Sequence, residues 1–503
     1  MPSSDTTLWQ LASDAADAHP DRVVLSDEHG RTLTTAQLCE AAERVAAGLG
    51  IGPADVVSWQ LPTCLEAGVM LLAVARVGAV QNPVISILRE REVGQITSQI
   101  GTTVIVVPER WRGVEHGEMA RAVAAGNGAR VVVVDLSTVT PELRLPMGEP
   151  STLPDAPTSA HEPRWVYFTS GTTAAPKGVR HSDSSTIASS FGITECLIGD
   201  GDVYPIAWPL PHIGGITMLS AVLRGGGQLV LFETFDPATF GDRVAAVSPT
   251  ILGTGVPFFR AYMDAQRRHG DEPLYPRLRT FTAGGAPTPP EILRELAEVF
   301  GFDAVINSYG MTEFPIATSL APGDQPERRA VSVGRTTPGV TARTVDGELR
   351  VKGLQCFLGY ADPTLDAAAF DEDGWLRTGD LAEIDDGYVT ITGRLKDVII
   401  RNGENISAGE VEDVLLRHPA VLDVTVVGLP DARTGERVCA VVVTEPGAAL
   451  DLASIADHCR ATGIARQKVP EQLELVDGIP RNPMGKVLKD EVRATVLARG
   501  AAT

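Results

Sequence analysis

Short β-branched stretches alternate along the chain with longer, Ala-rich amphipathic segments. The amphipathic segments include residues 35–49 and 290–300. The β-branched stretches include residues 103–107, 130–134, 228–231 and 305–307. Because strands that alternate with helices are typical of parallel sheets, this pattern predicts an α/β fold with largely parallel sheets.

Two changes in the pattern predict how the chain is divided. Residues 138–163 are rich in Pro, Ser and Thr, which predicts a surface linker. After residue 394 the pattern becomes α+β, with predicted helices at 409–417, 451–462 and 486–498 and predicted strands at 421–427, 438–443 and 472–476. We therefore expect a large, multi-sheet N-terminal domain at residues 1–394 and a smaller α+β C-terminal domain at residues 395–503.

Composition and charge narrow the classes of function. Hydrophobic residues make up 44% of the 503 residues and charged residues 21%, which excludes wholesale disorder and allows a large core. Acidic residues outnumber basic ones by 64 to 43, which gives a formal net charge of −21. Because nucleic acids and anionic membrane surfaces are bound through basic faces, we expect neither as a partner.

The expected compartment follows from the cysteines and from the apolar segments. The six cysteines form no CxxC pair, which favours a reducing compartment over a disulfide framework or a zinc site. The most apolar stretch, residues 67–80, has 14 residues and contains Arg76, so it predicts a buried helix and no membrane span. The first residues lack the pattern of a signal peptide. We expect a cytoplasmic protein.

The strongest candidate for chemistry is the segment WVYFTSGTTAAPKGV at residues 165–179. An apolar strand leads into a loop of small and hydroxyl-bearing residues that ends at Pro176, Lys177 and Gly178. Small residues let a backbone approach phosphate oxygens closely, hydroxyls add donors, and the lysine adds a positive charge. The candidate phosphate-binding residues are Thr169, Ser170, Gly171, Thr172, Thr173 and Lys177. The loop is not a Walker A motif, because Pro precedes the lysine and Gly follows it.

Four further motifs follow this loop. They are NSYGMTE at 307–313, GWLRTGDL at 374–381, GRLKDVIIRNGENISAGEVE at 393–412 and PRNPMGK at 480–486. Together with the loop, in the same order and over about 320 residues, they resemble the signature motifs of the adenylate-forming superfamily. That superfamily includes acyl- and aryl-CoA synthetases, adenylation domains of nonribosomal peptide synthetases, and luciferases.

The resemblance implies an enzyme that uses ATP, Mg²⁺ and CoA and has a mobile C-terminal domain. A carboxylic acid would first form an acyl-AMP with release of pyrophosphate, and the thiol of CoA would then displace AMP. All reacting groups belong to the substrates, so no nucleophile of the protein is needed. The protein must position two anions and neutralise the charge that develops on the α-phosphate.

The resemblance also implies the roles of the nucleotide-binding residues. Lys486 would bridge the substrate carboxylate and the α-phosphate, Thr312 would donate to that phosphate, and Glu313 would hold the metal. Asp380 would accept from the ribose hydroxyls and Arg394 would clamp the nucleotide. The residues expected around the adenine are Gly284, Gly285 and Ala286 on one side and Ser308 and Tyr309 on the other.

A second group of roles concerns the thiol and the domain movement. Lys396 falls at the position of the hinge, and Gly403 and Glu404 would border the channel for the CoA arm. Asn402 stands where the family commonly has Gly, and Asn also tolerates a positive φ. Lysine acetyltransferases modify loops of the Lys486 kind in related synthetases, so such an enzyme is a candidate partner.

The expected acid follows from two positions. The segment WPLPHIGG at 208–215 resembles the border of the acyl pocket, with His212 near the substrate carboxylate. Residues 207–217 contain no acidic residue, which disfavours an amino acid as substrate. Gly310 stands where acetate-specific relatives carry a Trp, so we expect an open pocket for a medium-chain, branched, alicyclic or aryl acid. Apolar candidates for its lining are Phe191, Val256, Phe258 and Ile316.

Two other functions stay open at this point. In the same superfamily, the acyl group could be passed to the pantetheine of an acyl carrier protein, which presents the same thiol arm as CoA. In a different class, the chain could be a catalytically silent nucleotide-binding module. The presence of Glu313, Asp380 and Lys486 argues against a silent module.

Overall fold

The computed structural model describes residues 5–169, 176–285, 288–302, 305–402, 404–431, 433–482 and 485–500. Its helices are α1 (Leu8–Ala18), α2 (Thr35–Leu49), α3 (Leu65–Arg76), α4 (Glu90–Gln99), α5 (His116–Asn127), α6 (Asp183–Ala188), α7 (Ser190–Cys196), α8 (Ile213–Gly225), α9 (Phe240–Ala245), α10 (Val256–His269), α11 (Pro290–Phe300), α12 (Pro326–Val331), α13 (Asp366–Ala369), α14 (Ala408–Leu415), α15 (Leu452–Ala461) and α16 (Lys489–Gly500).

Its strands are β1 (Val23–Asp27), β2 (Thr32–Thr34), β3 (Val56–Trp59), β4 (Val80–Pro83), β5 (Val104–Pro108), β6 (Arg130–Val134), β7 (Pro163–Thr169), β8 (Lys177–Ser182), β9 (Val203–Ile206), β10 (Gln228–Leu231), β11 (Ile251–Gly253), β12 (Thr280–Ala283), β13 (Val305–Met311), β14 (Phe314–Ser319), β15 (Arg335–Thr336), β16 (Val340–Val345), β17 (Glu348–Gly353), β18 (Leu376–Asp385), β19 (Tyr388–Arg394), β20 (Val398–Arg401), β21 (Glu404–Ser407), β22 (Val421–Asp431), β23 (Gly435–Thr444) and β24 (Gln472–Leu475).

Within the described residues the strands form five sheets. Two of them, with strand orders β6-β5-β3-β4-β7-β8 and β2-β1-β10-β9, contain mostly parallel pairs and end in an antiparallel pair. The third, β11-β12-β13-β14-β15, has two parallel pairs followed by two antiparallel ones. The fourth, β16-β17-β18-β19, is antiparallel throughout. The fifth, β21-β20-β23-β22 with β24 beside β23, belongs to the C-terminal part. The predicted α/β class with a large multi-sheet N-terminal part is confirmed, but the fourth sheet and most pairs of the fifth depart from the parallel pattern.

Several predicted elements agree closely with the structure. The predicted helices 35–49 and 290–300 coincide with α2 and α11, and the predicted strands 130–134 and 228–231 coincide with β6 and β10. Helix α2 begins where the Thr34 side chain accepts from the Gln37 N–H and ends at Gly50, which has a left-handed backbone. These local signals fixed both ends of the helix.

The apolar stretch near residue 70 is a buried helix, as predicted. Every residue of α3 except Arg76 is buried, and Arg76 pairs with Glu43 at 2.9 Å. No helix of the described residues is long and apolar enough to cross a membrane. Helix α3 therefore belongs to the core of the N-terminal part.

The C-terminal part has a core on each face of its sheet. Along β23, Val438, Ala440 and Val442 pack towards α14 and α15, while Cys439 and Val441 pack towards α16. This alternation is the period of two that a strand buried on both faces must have. It explains why β23 is apolar at consecutive positions.

One predicted helix boundary is wrong. The helix predicted at 486–498 begins at Lys489, so Lys486 lies in the loop before it. In this loop the Asn482 N–H donates to the Lys486 carbonyl and the Lys486 N–H donates to the Asn482 side chain. Gly485 has a φ of 81°, which turns the chain back on itself. These hydrogen bonds replace the first helical turn.

The predicted domain boundary coincides with a change of sheet. Strand β19 ends at Arg394, residues 395–397 form one 3-10 turn, and β20 opens the C-terminal sheet at Val398. Across this turn the Ser407 hydroxyl donates to the Thr392 carbonyl at 2.8 Å. The division into 1–394 and 395–503 itself stays a prediction.

Candidate active site

The ends of the phosphate-binding loop are held together by a β-hairpin. Thr169, at the end of β7, pairs with Lys177, at the start of β8. The loop between them therefore leaves and returns at one place on the sheet. The predicted residues Ser170, Gly171, Thr172 and Thr173 lie outside the described residues, as do Ala286 and Gly403.

Thr312 and Glu313 form the turn of the β13–β14 hairpin. Met311 pairs with Phe314, which leaves these two residues at the tip. His181 donates from Nε2 to the Thr312 carbonyl at 2.8 Å, and Tyr360 donates from Oη to Oε1 of Glu313 at 2.9 Å. Both polar residues are thus fixed from outside the hairpin.

Gly284 and Gly285, which were predicted to lie near the adenine, follow a strand next to this hairpin. Strand β12 pairs in parallel with β13 and leads directly to Gly284 and Gly285. A Cβ atom on Gly284 would lie 3.2 Å from the Ser308 carbonyl oxygen, so the two segments approach closely. The structure therefore brings the predicted adenine-binding segments side by side.

Asp380 is the centre of a buried hydrogen-bonded cluster. It is 2% exposed, and its Oδ2 accepts from the Tyr309 hydroxyl at 2.6 Å. Its Oδ1 lies 2.6 Å from Nε of Arg394, the residue opposite it on β19. Burial, and then the charge of Asp380, raise the pKa of Tyr309 well above its usual value, so the phenol remains a donor. Each carboxylate oxygen has a further lone pair, so this cluster can still accept from ribose hydroxyls.

Lys486 lies within electrostatic range of this cluster. Burial, and then the charges of Arg394 and Lys396, lower the pKa of Lys486 to about 8, while Asp380 and Asp397 act in the opposite direction. A lysine of the C-terminal part therefore faces charged residues of the nucleotide-binding region. At pH 7 the larger fraction of the Lys486 side chains is still in the ammonium form.

Lys396, predicted for the hinge, and Glu404, predicted for CoA, lie on the surface of the second part. Lys396 is exposed within the turn 395–397, and Glu404 is exposed at the start of β21. Asn402 has a φ of 51°, which confirms that it adopts the backbone of the Gly it replaces. Within the described residues, no hydrogen bond or ion pair joins Glu404 to Lys486 or Asp380. Its role and that of Lys396 stay predictions.

His212 borders a cleft next to Thr312. It precedes α8, and its Nδ1 accepts from the Gly214 N–H at 3.2 Å, which leaves the proton on Nε2. Burial lowers its pKa to about 4, so the imidazole is neutral at pH 7. The cleft is narrow, with a cavity volume of about 30 Å³, and is lined mostly by apolar residues, among them Ile85, Leu88 and Phe168.

Gly310 lies where β13 and β14 approach each other closely. A Cβ atom there would lie 1.9 Å from the Pro315 carbonyl oxygen and 2.9 Å from that of Phe314. The glycine is therefore required by the close approach of β13 and β14. The role of Gly310 at the acyl pocket and the size of that pocket stay predictions.

Two residues of the site were not predicted from the sequence. His181 is fully buried, with Nδ1 bonded to Ser185 and with a pKa lowered to about 4 by burial. Tyr360 lies 47 residues from the Glu313 carboxylate that it binds. The inward register of β8, which places His181 opposite Trp165, was a usable signal for the histidine. No such signal in the sequence indicated Tyr360, because Glu313 is distant from it in the chain.

At the tip of the β13–β14 hairpin, the carboxylate of Glu313 could bind a magnesium ion. Among the described residues, no group of three or more His, Cys, Asp or Glu side chains could hold a metal ion. Glu313 at the hairpin tip, beside the loop that ends at Lys177, fits the way Mg²⁺ is usually held, by one or two carboxylates and the phosphates of a nucleotide.

Two family models match the chain. Residues 12–361 match the model described as AMP-binding enzyme. Residues 410–486 match the model described as AMP-binding enzyme C-terminal domain. The first span contains the phosphate loop and the β13–β14 hairpin, and the second ends at Lys486.

Similar proteins are known across the whole length. The medium-chain fatty-acid–CoA ligase of Escherichia coli is 31% identical over 98% of this chain and 91% of its own length. The salicyl-AMP ligase / salicyl-S-ArCP synthetase of Mycobacterium tuberculosis is 32% identical over 99% of this chain and 92% of its own length. The crystal structure of ATP-bound MatB from Rhodopseudomonas palustris superposes with a TM-score of 0.83, at 28% identity, over 97% of this chain and 99% of that one.

Proposed function

Because the chain belongs to the AMP-binding enzyme family, as its motifs predicted, we propose that it is an ATP-dependent acid–CoA ligase. Its acid is a medium-chain, branched, alicyclic or aryl carboxylic acid, and its products are acyl-CoA, AMP and pyrophosphate. The observation that carries this proposal is the convergence of Lys486 with the Asp380–Arg394 pair. An ammonium group beside a nucleotide cradle is what acyl-adenylate formation requires.

In the first half-reaction, a carboxylate oxygen of the acid attacks the α-phosphorus of ATP, and the bond to the β-phosphate breaks. Lys486 neutralises the negative charges of the carboxylate and the α-phosphate. The Thr312 hydroxyl and the backbone N–H groups at the hairpin tip donate to the α-phosphate. Asp380 and Arg394 hold the ribose. Mg²⁺, when bound at Glu313, supplies charge neutralisation for the phosphates. Such preorganised donors act most strongly where charge develops.

In the second half-reaction, the CoA sulfur attacks the acyl carbonyl and the bond to AMP breaks. The sulfur must reach the site that Lys486 occupies, so the C-terminal part rotates about Lys396 and brings residues 403 and 404 to the thiol channel. His212 is neutral and keeps its Nε2 proton, so it can donate to the acyl oxygen without adding charge.

The substrate class is supported by the surroundings of His212. The cleft beside it is mainly apolar, and the segment 207–217 has no carboxylate to bind an ammonium group. The Escherichia coli relative is a ligase of medium-chain fatty acids, which agrees with an apolar acid.

The decisive experiment is a pyrophosphate-release screen over acids that differ in chain length and ring content, with and without CoA. We expect release with at least one apolar acid, and thioester formation only when CoA is present. Release that depends on an amino acid would contradict the substrate class. If no carboxylate stimulates exchange between ATP and pyrophosphate, the chain is a silent nucleotide-binding module and the proposal fails.

One of the similar proteins supports a second possible acceptor for the acyl group. The Mycobacterium tuberculosis relative is named as a salicyl-S-ArCP synthetase, so a carrier-protein pantetheine is the alternative thiol. Parallel assays with CoA and with a holo carrier protein distinguish the two. Faster transfer to the carrier protein would replace CoA as the acceptor.

Acetylation of Lys486 is a proposed form of regulation. It would remove the positive charge on which the first half-reaction depends. Enzyme acetylated at Lys486 should lose pyrophosphate release and keep thioester formation from synthetic acyl-AMP. Undiminished pyrophosphate release by the acetylated enzyme would exclude this regulation.

A further inference from the structure

The segment that carries Tyr360 extends the sheet of the phosphate-binding loop. Tyr360 forms an antiparallel bridge with Val179 of β8. On either side, the Leu358 N–H donates to the Arg180 carbonyl at 2.8 Å and the Ala361 N–H donates to the Gly178 carbonyl at 2.7 Å. The segment is therefore fixed to the strand that begins with Lys177.

The ring of Tyr360 is held in one place. Its edge meets the Phe357 ring, with centroids 4.9 Å apart and planes inclined at 68°. Its backbone N–H donates to Oδ1 of Asp366 at 2.8 Å. The phenol oxygen is thus carried by a fixed ring on a fixed backbone, and its direction is set before any ligand binds.

The same segment binds Glu313 twice. The Phe357 N–H donates to the Glu313 carbonyl at 2.9 Å, and the Tyr360 hydroxyl donates to Oε1 of its carboxylate at 2.9 Å. The Lys177 ammonium lies 5.6 Å from the centroid of the Tyr360 ring, within the range of a cation–π contact. One side chain therefore contacts both the loop cation and the carboxylate that would hold the metal.

We propose that Tyr360 is a positioning residue that aims the Glu313 carboxylate at the Mg²⁺ ion of bound ATP. By bonding Oε1, the phenol fixes the plane of the carboxylate and directs Oε2 towards the metal or one of its water ligands. Hydrogen bonds to a metal-binding side chain commonly change metal affinity by about 10- to 100-fold. The proposal rests on the proposed function, because it assigns Glu313 to the metal.

The test is the coupling between metal and nucleotide in Tyr360→Phe, which removes the hydroxyl and keeps the ring. The affinity of the full-length protein for a non-hydrolysable ATP analogue is measured by calorimetry in saturating Mg²⁺ and in chelator. The dissociation constant in chelator, divided by that in saturating Mg²⁺, reports what the metal adds to binding. We expect this ratio to fall by about 10-fold or more in the variant, with little change in the metal-free constant.

Tyr388→Phe is the matched control. Its hydroxyl also donates to a carboxylate, Oδ1 of Asp324, at 2.6 Å, on the far end of β19. An unchanged ratio in Tyr360→Phe, or an equal fall in both variants, would overturn the positioning role. That result leaves the proposed function standing if the wild-type protein still exchanges pyrophosphate with a carboxylic acid. Absence of exchange in the wild type would instead overturn the function itself.

Discussion

The two halves of the candidate site are built in different ways. In the N-terminal part, Asp380 is buried and bonded to Tyr309 and Arg394 from two other strands. In the C-terminal part, Lys486 lies in a short loop closed by its hydrogen bonds with Asn482, and Arg481 ties this loop to Asp423 of β22 at 2.8 Å. The nucleotide cradle is part of the packed structure, while the lysine depends on the position of the loop that carries it.

This difference suits a reaction in two steps. In the proposed reaction, the cradle would keep the nucleotide in place while acyl-AMP forms and is then consumed. The cation would be needed only for the first step and would leave before a thiol enters. The ion pair of Arg417 with Glu291 at 3.5 Å, between the two parts, is of a kind that contributes little free energy, so the proposed rotation could exchange it at low cost.

The largest expected effect comes from Lys486→Ala. Loss of a preorganised donor typically lowers a rate by about 10²- to 10³-fold, so pyrophosphate-forming adenylation should fall by that factor. Thioester formation from synthetic acyl-AMP should be unchanged, because the lysine has left the site in that step. Lys468→Ala, which removes a lysine paired with Glu410 on the surface, serves as the control. An equal fall in both half-reactions would contradict the assigned role.

Asp380→Asn should affect both half-reactions to a similar extent. The change removes the negative charge that Arg394 and Tyr309 share, and a hydrogen bond to a charged group contributes about 1.5–3 kcal/mol. We expect each half-reaction to lose about 10- to 100-fold in kcat/KM, measured with ATP and with acyl-AMP separately. If only adenylation suffered, the cradle would not be common to both steps.

Lys396→Pro should impair thioester formation more than adenylation, which is the opposite of the effect expected for Lys486→Ala. Proline fixes φ and would hinder the change of backbone that a hinge needs. We expect thioester formation to fall about 10-fold more than adenylation. Lys396→Ala removes the charge and keeps the backbone free, so it is the matched control. Normal thioester turnover in the proline variant would refute the hinge.

The sequence predicted best what is coded locally. Helix α2 was predicted to the residue, because its cap residues and its apolar periodicity lie within the helix itself. The five motifs, too, are local, and they were sufficient to identify the family. The turn of Asn402 was predicted because the conformation depends on that residue's own preference.

The sequence predicted poorly what depends on distant partners. The α16 boundary was wrong because residues 486–498 have a helical composition, whereas hydrogen bonds with Asn482 place Lys486 in the loop before the helix. The bond of Tyr360 to Glu313 joins two segments that only the fold brings together. Gly310 was interpreted through a ligand, whereas the structure relates it to the backbone of Pro315.

The smallest expected effect is a shift in pH dependence that tests the neighbourhood of Lys486. Since its pKa is lowered to about 8, the ammonium form is lost as the pH rises through that value, and kcat/KM for adenylation should fall above pH 8. Thioester formation from acyl-AMP should lack this inflection. In Lys396→Ala one of the charges that lower the pKa is removed, so the inflection should move to higher pH, which rate measurements between pH 6.5 and about 10 would detect. An inflection that stays in place would mean that Lys396 and Lys486 are not neighbours in the state that forms acyl-AMP.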